Sequence, residues 1–288
     1  RAAVPHPRRA GRHMNHRIAP GPMDLSDDER LLPQWPAPPR VRALVTLRGH
    51  HGASAGPWGR PGGAAGGMNL GAHCGDDPQA GDANRARLRR ALPAEPVWLD
   101  QVHGLAVFDA DAAPAGAAEA GRLPQADAAV TACAGRPLVI MTADCLPVLF
   151  CNREGTVVGA AHAGWRGLAA GVLERTVEAL RRRAPGGSQW LAWLGPSIGP
   201  NRFEVGDDVV DAFVQADAAA SAAFRPGARP GKWLADLPQL ARMRLRQAGV
   251  DQTFGETRCT VDEPERFYSY RRDGVTGRFA SLVWLDAD

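Results

Sequence analysis

The sequence lacks any hydrophobic run long enough to cross a membrane. Its most apolar stretch, residues 138–151, is interrupted by Asp144 and Pro147, whereas a transmembrane helix needs about 18 or more consecutive apolar residues. The basic N-terminal residues are not followed by an apolar core, so no secretory signal is expected. The five cysteines are an odd number in a chain of 288 residues, which argues against a disulfide framework. We therefore predict a reduced, cytoplasmic protein without membrane contact.

Lysine is almost absent, and much of the positive charge lies in the first residues of the chain. Lys232 is the single lysine among 34 lysines and arginines. The formal net charge is +3, and residues 1–22 hold five arginines and no acid, so +3 minus 5 leaves −2 for the rest of the chain. A nucleic-acid-binding protein carries its basic excess on the folded domain. This charge distribution predicts no nucleic-acid partner.

Composition divides the chain near residue 36. Residues 1–36 are rich in Arg, His and Pro, so we predict a disordered N-terminal extension there. From residue 37 to residue 288, β-type and helical patterns alternate without a composition break or a repeat. This alternation predicts one α/β domain of roughly 250 residues. Two glycine- or alanine-rich stretches, residues 49–75 and 109–121, are expected to be loops.

Apolar runs and helical spacing predict the elements of this domain. Strands are expected at residues 41–47, 96–102, 137–142, 148–151, 156–161, 190–194 and 278–285. Helices are expected at residues 82–92, 168–183, 209–223 and 237–248. The helical pattern is clearest at 168–183, where Leu168, Val172, Val177 and Leu180 recur on one face and three arginines stand at the C-terminal end.

Two histidines and one cysteine stand at the C-terminal ends of predicted strands. His103, Cys145 and His162 follow the 96–102, 137–142 and 156–161 strands respectively. If these strands are neighbours, two imidazoles and one thiol meet at one edge of the sheet. That is a chemically sound ligand set for zinc, with a fourth position left for water or substrate. The spacings of 42 and 17 residues match no zinc finger.

Other interpretations of the same three residues stay open on the sequence. A single histidine at a strand end is more often structural than a ligand, and Cys145 alone would be a small buried hydrophobe. Alternatively, Cys145 is a nucleophile with either His103 or His162 as its general base. Residue spacing does not choose between a metal site, a Cys–His pair and ordinary packing.

Two further residues near these strand ends carry charge. Arg166 lies in the turn Gly164-Trp165-Arg166-Gly167 between a strand and a helix. A helix N-terminus offers N–H groups to an anion, and an arginine strengthens such a site. The alternative is a tight turn with a solvent-facing arginine. Asp144 lies between apolar strand residues, so its carboxylate is expected to be paired or coupled to a site.

A series of motifs in fixed order resembles one known family. They are Thr46–Gly49, Met68–Gly71, Gly75–Pro78, Asn84-Arg85, Gln101–Gly104, Ala143–Pro147, His162–Gly167, Leu194–Gly199, Phe203–Gly206, Phe267–Arg272 and Thr276–Arg278. Together they extend over roughly residues 35–285. The chain resembles the YfiH-like laccase-domain family, also described as the peptidoglycan-editing factor PgeF, polyphenol oxidase or purine nucleoside phosphorylase family.

The resemblance implies a fold and an activity. The fold would be a single YfiH-like α/β domain, an α+β sandwich with a mixed sheet flanked by helices. The activity would be phosphorolysis of adenosine, inosine, guanosine and S-methyl-5′-thioadenosine, with adenosine deamination as a second reaction. The partners would therefore be a purine nucleoside and phosphate, and a monomer is expected.

The resemblance also implies site residues. The zinc ligands fall on His103, Cys145 and His162, which would also carry the catalysis. The expected substrate-binding residues are Arg48, Asn69, Gln101 and Arg166. The chain departs from the family pattern at His50 and His51, where two glycines are usual, so these imidazoles would alter the rim of the pocket or add a metal contact.

Two alternatives to a zinc-dependent phosphorylase remain. Two His and one Cys are also the donor set of blue-copper sites, so copper in place of zinc, and polyphenol oxidation, are possible. A classical multicopper laccase needs about ten histidines, whereas residues 37–288 contain five: His50, His51, His73, His103 and His162. The second alternative is a peptidoglycan-precursor editing factor in which the metal has a supporting role. Structural zinc prefers four protein ligands, and the sequence offers three.

Overall fold

The computed structural model describes residues 25–112, 123–184, 186–255 and 257–287. The strands among these residues are β1 (Arg30–Leu31), β2 (Val41–Thr46), β3 (Val107–Asp109), β4 (Ala128–Thr131), β5 (Leu138–Thr142), β6 (Leu146–Asn152), β7 (Val158–Ala163), β8 (Trp190–Leu194), β9 (Glu204–Gly206), β10 (Phe224–Pro226), β11 (Lys232–Ala235), β12 (Gln252–Gly255) and β13 (Phe279–Leu285). The α-helices are α1 (Pro78–Arg90), α2 (Trp165–Ala170), α3 (Val172–Arg183), α4 (Asp207–Val214), α5 (Leu237–Gln247) and α6 (Tyr270–Asp273). None of the described helices is long and apolar enough to span a membrane.

Two sheets pack face to face through a shared apolar core. One has four antiparallel strands in the order β1-β2-β13-β5, and the other has six strands in the order β12-β8-β6-β7-β4-β3. The six-stranded sheet is mixed, because β12 runs parallel to β8 and β3 runs parallel to β4. Ile140 and Val283 of the first sheet share a core cluster with Leu149 and Trp193 of the second. The predicted α+β sandwich is confirmed.

Helices cover the outer faces of both sheets, as the alternation of side chains requires. In β6, Leu149 and Cys151 face the four-stranded sheet, whereas Val148 and Phe150 belong to the cluster that includes α3 and α5. On the other side, Leu88 of α1 belongs to a third cluster with the outer face of the four-stranded sheet. The successive buried residues of these strands read as continuous apolar runs because both faces are covered.

Several predicted elements have different bounds. The helix expected at 168–183 is divided into α2 and α3 by Gly171, whose φ of 104° lies in the left-handed region that ends a helix. The helix expected at 209–223 ends at Val214. A 3-10 helix follows at Ala218–Ala223, because Asp217 caps it by accepting a hydrogen bond from the Ala219 N–H.

The strand expected at residues 96–102 is wrong. These residues form no ladder: Val97 bridges Leu138, but Asp100 bridges Gln125, so the segment changes partner within three residues. Before residue 37, β1 pairs with β2 and Leu25 is buried in the core. Residues 1–24, and residues 113–121 of the loop expected at 109–121, lie outside the described residues.

Candidate metal centre and active site

Three side chains from distant parts of the chain meet at one point. The ligand atoms of His103, Cys145 and His162 all lie within 4.8 Å of one another. The Cys145 Sγ atom is 3.7 Å from the His103 Nε2 atom. The two imidazole rings meet edge to face, with their centroids 4.7 Å apart. The sequence-based expectation that these residues converge therefore agrees with the structure, whereas their roles remain a proposal.

The strand order explains this convergence. In the six-stranded sheet β7 lies between β6 and β4 and runs antiparallel to both, so β6 and β4 begin where β7 ends. Cys145 directly precedes β6, and His162 lies within β7 opposite Pro147 rather than after the strand. His103 reaches the same edge from a loop.

Asp127, which the sequence analysis missed, joins the loop of His103 to this edge of the sheet. Its buried carboxylate accepts hydrogen bonds from the backbone N–H groups of Val102, His103 and Gly104 at 3.2, 2.9 and 2.6 Å. It also contacts the Nδ1 atom of His162 at 2.8 Å. One signal was available in the sequence: Asp127 is an acid directly before an apolar strand, and such a carboxylate needs partners.

The close contact of thiol and imidazole changes the ionisation of both. Burial alone would raise the pKa of the Cys145 thiol, but the charge of His162 and hydrogen bonds from both histidines outweigh it and lower that pKa to about 6. Burial would lower the pKa of His162, but Cys145 and Asp127 outweigh it and raise that pKa to about 9. The pair therefore favours the thiolate, which is the form that binds a metal.

The donor set and the space around it fit a zinc ion. Zinc binds imidazole nitrogen and thiolate sulfur, and three protein ligands leave a fourth position open. The backbone of Gly164 passes so close that an added Cβ atom would lie 2.9 Å from the His103 Cδ2 atom and 3.0 Å from the Cys145 Sγ atom. A Cβ atom at position 164 would force His103 or Cys145 to shift, so the close approach of these two side chains favours glycine there.

A cavity of about 400 Å³ opens over the three ligands. Its wall combines three cations with three aromatic rings: Arg166, Arg271, Arg278, Trp165, Phe203 and Tyr270. The remaining lining residues are His73, Gln101, Met141, Thr142, Ala143, Asp144, Ile198 and Leu237, beside the three ligands. Asp144 is thus the one carboxylate facing three guanidinium groups among the described lining residues. The wall favours an anionic ligand with a flat apolar part.

Asp144 is paired, as its position between apolar residues predicts. Its carboxylate accepts hydrogen bonds from the Thr260 hydroxyl and from the Arg271 N–H, both at 2.6 Å. Its φ of 96° is unusual for a residue with a side chain. The bond to Arg271 holds the start of α6 next to Cys145.

Of the four expected substrate-binding residues, two line the cavity. Gln101 lines it while its amide binds both the backbone C=O and N–H of Met141 at 2.9 and 2.8 Å. Arg166 lines it with an exposed side chain whose guanidinium lies 4.6 Å from the centre of the Trp165 ring. The expected strand–turn–helix arrangement is present there, although α2 has only six residues.

Arg48 and Asn69 belong to the protein interior instead. Arg48 donates to the carbonyl oxygens of Gly59 and Pro264, and its guanidinium lies 5.0 Å from the centre of the Tyr268 ring. Asn69 is fully buried, with its amide bonded to Asp76 among others. Neither residue is part of the cavity wall, so their expected role in substrate binding stays a prediction.

The two histidines that depart from the family pattern also lie away from the cavity wall. His50 and His51 are not among its lining residues, and among the described residues the three-ligand group contains neither. His73, by contrast, lines the cavity. Phe203, Tyr270 and Arg271 are lining residues that no strand-end argument could identify, because Phe203 precedes β9 and the other two lie in α6.

This fold and ligand set define a family. The chain belongs to the family described as multi-copper polyphenol oxidoreductase laccases, whose model matches residues 42–286. The resemblance seen in the sequence motifs is thereby confirmed.

Among its relatives are two proteins named as purine nucleoside phosphorylases. Purine nucleoside phosphorylase PA4543 of Pseudomonas aeruginosa is 53% identical over 255 residues, covering 88% of this chain and 98% of that protein. Purine nucleoside phosphorylase YfiH of Escherichia coli is 51% identical over 257 residues, with the same coverage.

Solved structures show the same fold. Protein NMB0706 of Neisseria meningitidis superposes with a TM-score of 0.79 at 46% identity, covering 90% of this chain and all of that chain. YlmD of Geobacillus stearothermophilus superposes with a TM-score of 0.76 at 31% identity, covering 88% of this chain and 94% of that chain.

Proposed function

We propose that this protein is a zinc-dependent purine nucleoside phosphorylase. Its substrates would be adenosine, inosine, guanosine and S-methyl-5′-thioadenosine, and it would also deaminate adenosine. The observation that carries the proposal is one cavity in which the His–Cys–His group faces three guanidinium groups and three aromatic rings. The two relatives described above, each matched over 98% of its own length, are named as purine nucleoside phosphorylases, and this supports the same activity.

The cavity suits a nucleoside in size and in surface. A volume of about 400 Å³ falls in the range of small-molecule sites. A purine is flat and has two π faces, which aromatic side chains stack against. Phe203 and Tyr270 supply such surfaces on the wall, and the Arg271 guanidinium lies 5.5 Å from the centre of the Phe203 ring. These residues would hold the base.

The guanidinium groups suit the second substrate. Phosphorolysis forms a bond between a phosphate oxygen and the ribose C1′ atom while the bond from C1′ to the purine nitrogen breaks. Phosphate carries negative charge throughout, and arginine binds its oxygens in a bidentate manner. Arg166, Arg271 and Arg278 would bind and orient phosphate against the nucleoside, and so raise its effective concentration at C1′.

The three ligands would hold zinc at the floor of this cavity. Zinc bound there would supply a Lewis acid that polarises a substrate oxygen or activates water. His103, Cys145 and His162 are the residues that would hold it, and Gly164 leaves the room for them to approach. Gln101, anchored at both ends of its amide to Met141, would form a rigid part of the wall beside them.

The activity is tested by incubating zinc-loaded protein with adenosine, with and without phosphate, and separating the products by chromatography. Adenine that forms only with phosphate, and is lost in Cys145→Ala, would support the phosphorylase. Inosine that forms without phosphate would support the deaminase. Neither product, with one equivalent of zinc bound, would contradict the proposal and favour a cell-wall precursor as substrate.

Copper chemistry is the second candidate, because two His and one Cys also match blue-copper donors. Among the described residues, however, only one group of at least three such ligands is found, and a multicopper oxidase needs several. The copper-loaded protein should therefore oxidise phenols weakly or not at all. Rapid phenol oxidation, with a strong thiolate-to-copper absorption, would favour the oxidase.

We further propose that the protein is a cytoplasmic monomer. Sedimentation of the purified protein would test its oligomeric state.

A further inference from the structure

Asp127 contacts both histidines of the candidate metal centre through a single buried carboxylate. Its Oδ1 atom accepts the N–H of His103 at 2.9 Å and lies 2.8 Å from the Nδ1 atom of His162. Its Oδ2 atom accepts the N–H groups of Val102 and Gly104 at 3.2 and 2.6 Å. The residue has no exposed surface. Each carboxylate oxygen therefore has two donors, and all four belong to the two histidine segments.

We propose that Asp127 is a positioning residue that fixes the orientation of both histidine ligands. The inference rests on the zinc centre of the proposed function. Because the Nδ1 atom of His162 is committed to the carboxylate, the Nε2 atom is the ring nitrogen left to bind a metal beside Cys145. Carboxylates that accept the second ring N–H of a metal-bound histidine fix its tautomer and raise its basicity.

The effect of Asp127 on His103 is exerted through the backbone. His103 has a φ of 60°, in the left-handed region that residues with side chains adopt at a cost. The three consecutive N–H groups of residues 102–104 all point to the carboxylate. These bonds hold the loop in the conformation that directs the His103 Nε2 atom to within 3.7 Å of the Cys145 Sγ atom.

The backbone of Asp127 adds a further restraint on the same geometry. Its C=O accepts the N–H of His162 at 2.7 Å, and its N–H donates to the C=O of Ala106 at 3.0 Å. Since these bonds survive any substitution of the side chain, a variant at position 127 removes the carboxylate while it keeps the strand pairing. The role of the carboxylate is therefore separable from that of the fold.

Asp127→Asn is the sharpest probe because no orientation of the amide satisfies all four donors. If the NH2 group replaces Oδ1, it faces the His103 N–H and the Nδ1 atom of His162. If it replaces Oδ2, it faces the N–H groups of Val102 and Gly104. The first orientation favours the His162 tautomer with the proton on Nε2, which cannot bind zinc through that nitrogen. The second releases the loop of His103.

A matched control lies at the other end of β4. Asp111 is a half-buried residue whose carboxylate accepts hydrogen bonds from the Thr131 hydroxyl, the Ala132 N–H and the Arg136 guanidinium. Asp111→Asn disturbs the same strand without touching either histidine. A purely structural effect would therefore appear in both variants.

The test measures zinc affinity by chelator competition and the visible d–d spectrum of the cobalt-substituted protein. We expect Asp127→Asn to bind zinc about 10–100-fold more weakly than wild type and to show an altered cobalt spectrum. Asp111→Asn should keep both wild-type values, and Asp127→Glu should recover part of the affinity. Wild-type affinity and spectrum in Asp127→Asn would overturn the inference, as would equal losses in both Asn variants.

A measurement on the unaltered protein keeps the inference falsifiable if Asp127→Asn does not fold. In zinc-loaded wild type, histidine nitrogen NMR should show His162 protonated at Nδ1 and not at Nε2. The reverse tautomer would overturn the inference. A wild type that binds no zinc would contradict the zinc centre of the proposed function as well, whereas loss of activity with intact zinc binding would contradict the phosphorylase alone.

Discussion

Two polar clusters of this molecule differ in whether hydrogen bonds within the protein satisfy all of their donors and acceptors. The ligand cluster, which we define as His103, Asp127, Cys145 and His162, lies at the end of the six-stranded sheet. The amide cluster, which we define as Ser54, Asn69, Asp76 and Asn84, lies beside the glycine-rich segment that follows β2. Each cluster has a buried part, Asp127 and His162 in the first and Ser54, Asn69 and Asn84 in the second, and both include residues of the family motifs.

The amide cluster satisfies its polar groups internally. Asn84 donates to the Ser54 hydroxyl and to the Asn69 C=O, both at 2.9 Å, and accepts the Ala53 N–H at 2.8 Å. Asp76 in turn accepts from Ser54 and from Asn69, at 2.6 and 2.9 Å. Groups that already have their partners stabilise the fold but have little capacity left for a ligand.

The ligand cluster satisfies its polar groups on one side only. The carboxylate of Asp127 receives four donors. The Cys145 sulfur and one ring nitrogen of each histidine converge beside the cavity instead. Burial of a polar residue therefore does not mark function in this molecule. The direction of the remaining lone pairs does.

The largest expected effect comes from removing a donor of the ligand cluster. Cys145→Ala should weaken zinc binding by more than about 100-fold, beyond the loss expected for an orienting partner, and should abolish adenosine turnover. The control is Cys151→Ala, because Cys151 is buried in the core and burial raises the pKa of its thiol to about 12. Equilibrium dialysis with zinc measures both variants. Equal zinc affinity in the two variants would contradict a role of the Cys145 sulfur in zinc binding.

The next effect comes from filling the space beside the same donors. Gly164→Ala should weaken zinc binding about tenfold or more, because the new Cβ atom would collide with His103 and Cys145. The φ of −62° and ψ of 154° at Gly164 suit alanine, so the effect is steric and local.

Gly81→Ala provides the matched control for that steric effect. Gly81 lies in α1 with open space at its Cβ position. Alanine there should raise stability by about 0.5–1 kcal/mol without change in zinc affinity. The thermal unfolding of the two variants and their zinc affinities give the comparison, and an unchanged affinity in Gly164→Ala would contradict the close approach of the ligands.

An opposite pattern is expected when the amide cluster is broken. Asn84→Ala should lower the free energy of unfolding by about 2–4 kcal/mol, because the Ala53 N–H and the partners of the Asn84 amide lose their bonds. Zinc affinity should stay at the wild-type value. Gln79→Ala, at an exposed position of the same helix, should change stability by less than about 0.5 kcal/mol. Denaturant unfolding separates these variants, and a loss of zinc affinity in Asn84→Ala would show that the clusters are coupled.

The smallest expected effect is a pH dependence of stability that comes from Glu29, which pairs with Arg87. Burial alone would raise the pKa of Glu29, but hydrogen bonds from Arg87 and Ser26 outweigh it and hold that pKa below its ordinary value. A carboxyl whose pKa is lowered by folding stabilises the protein above its unfolded pKa, and this contribution is lost as the pH falls through the folded pKa.

Glu29→Gln should therefore destabilise the protein at pH 7 and flatten the acid limb of its stability curve. Asp27→Asn is the control, since Asp27 pairs with Arg30 at an exposed position and should leave the curve unchanged. Urea unfolding between pH 3 and pH 7 measures both. Parallel acid limbs in wild type and Glu29→Gln would be inconsistent with the lowered pKa.

The sequence predicts the three candidate metal ligands better than the residue that positions them. His103, Cys145 and His162 were identifiable because metal-binding side chains next to apolar strands are uncommon and chemically distinctive. Asp127 was not identified, since its partners lie 23 to 35 residues away along the chain. Arg48 and Asn69 were expected at the substrate because they match family motifs, and a motif does not show whether the hydrogen bonds of a polar residue are already made.

The strands lie where the sequence has apolar runs. Where an element differs from its prediction, the cause is tertiary pairing or a single residue. β5, β6, β7, β8 and β13 lie within about two residues of their predicted bounds, because each is buried on both faces. Residues 96–102 are apolar enough for a strand, yet Val97 and Asp100 bridge different segments. Gly171 ends α2 by its left-handed conformation, which helical periodicity alone does not show.

In the proposed centre, the side chains that face the cavity would hold a zinc ion through one sulfur and two nitrogen atoms. Zinc K-edge X-ray absorption on protein loaded with one equivalent measures this most directly. We expect one sulfur at about 2.3 Å and two imidazole nitrogens at about 2.0–2.1 Å, with a fourth light atom. A zinc shell of oxygen and nitrogen alone, unchanged in Cys145→Ala, would contradict it.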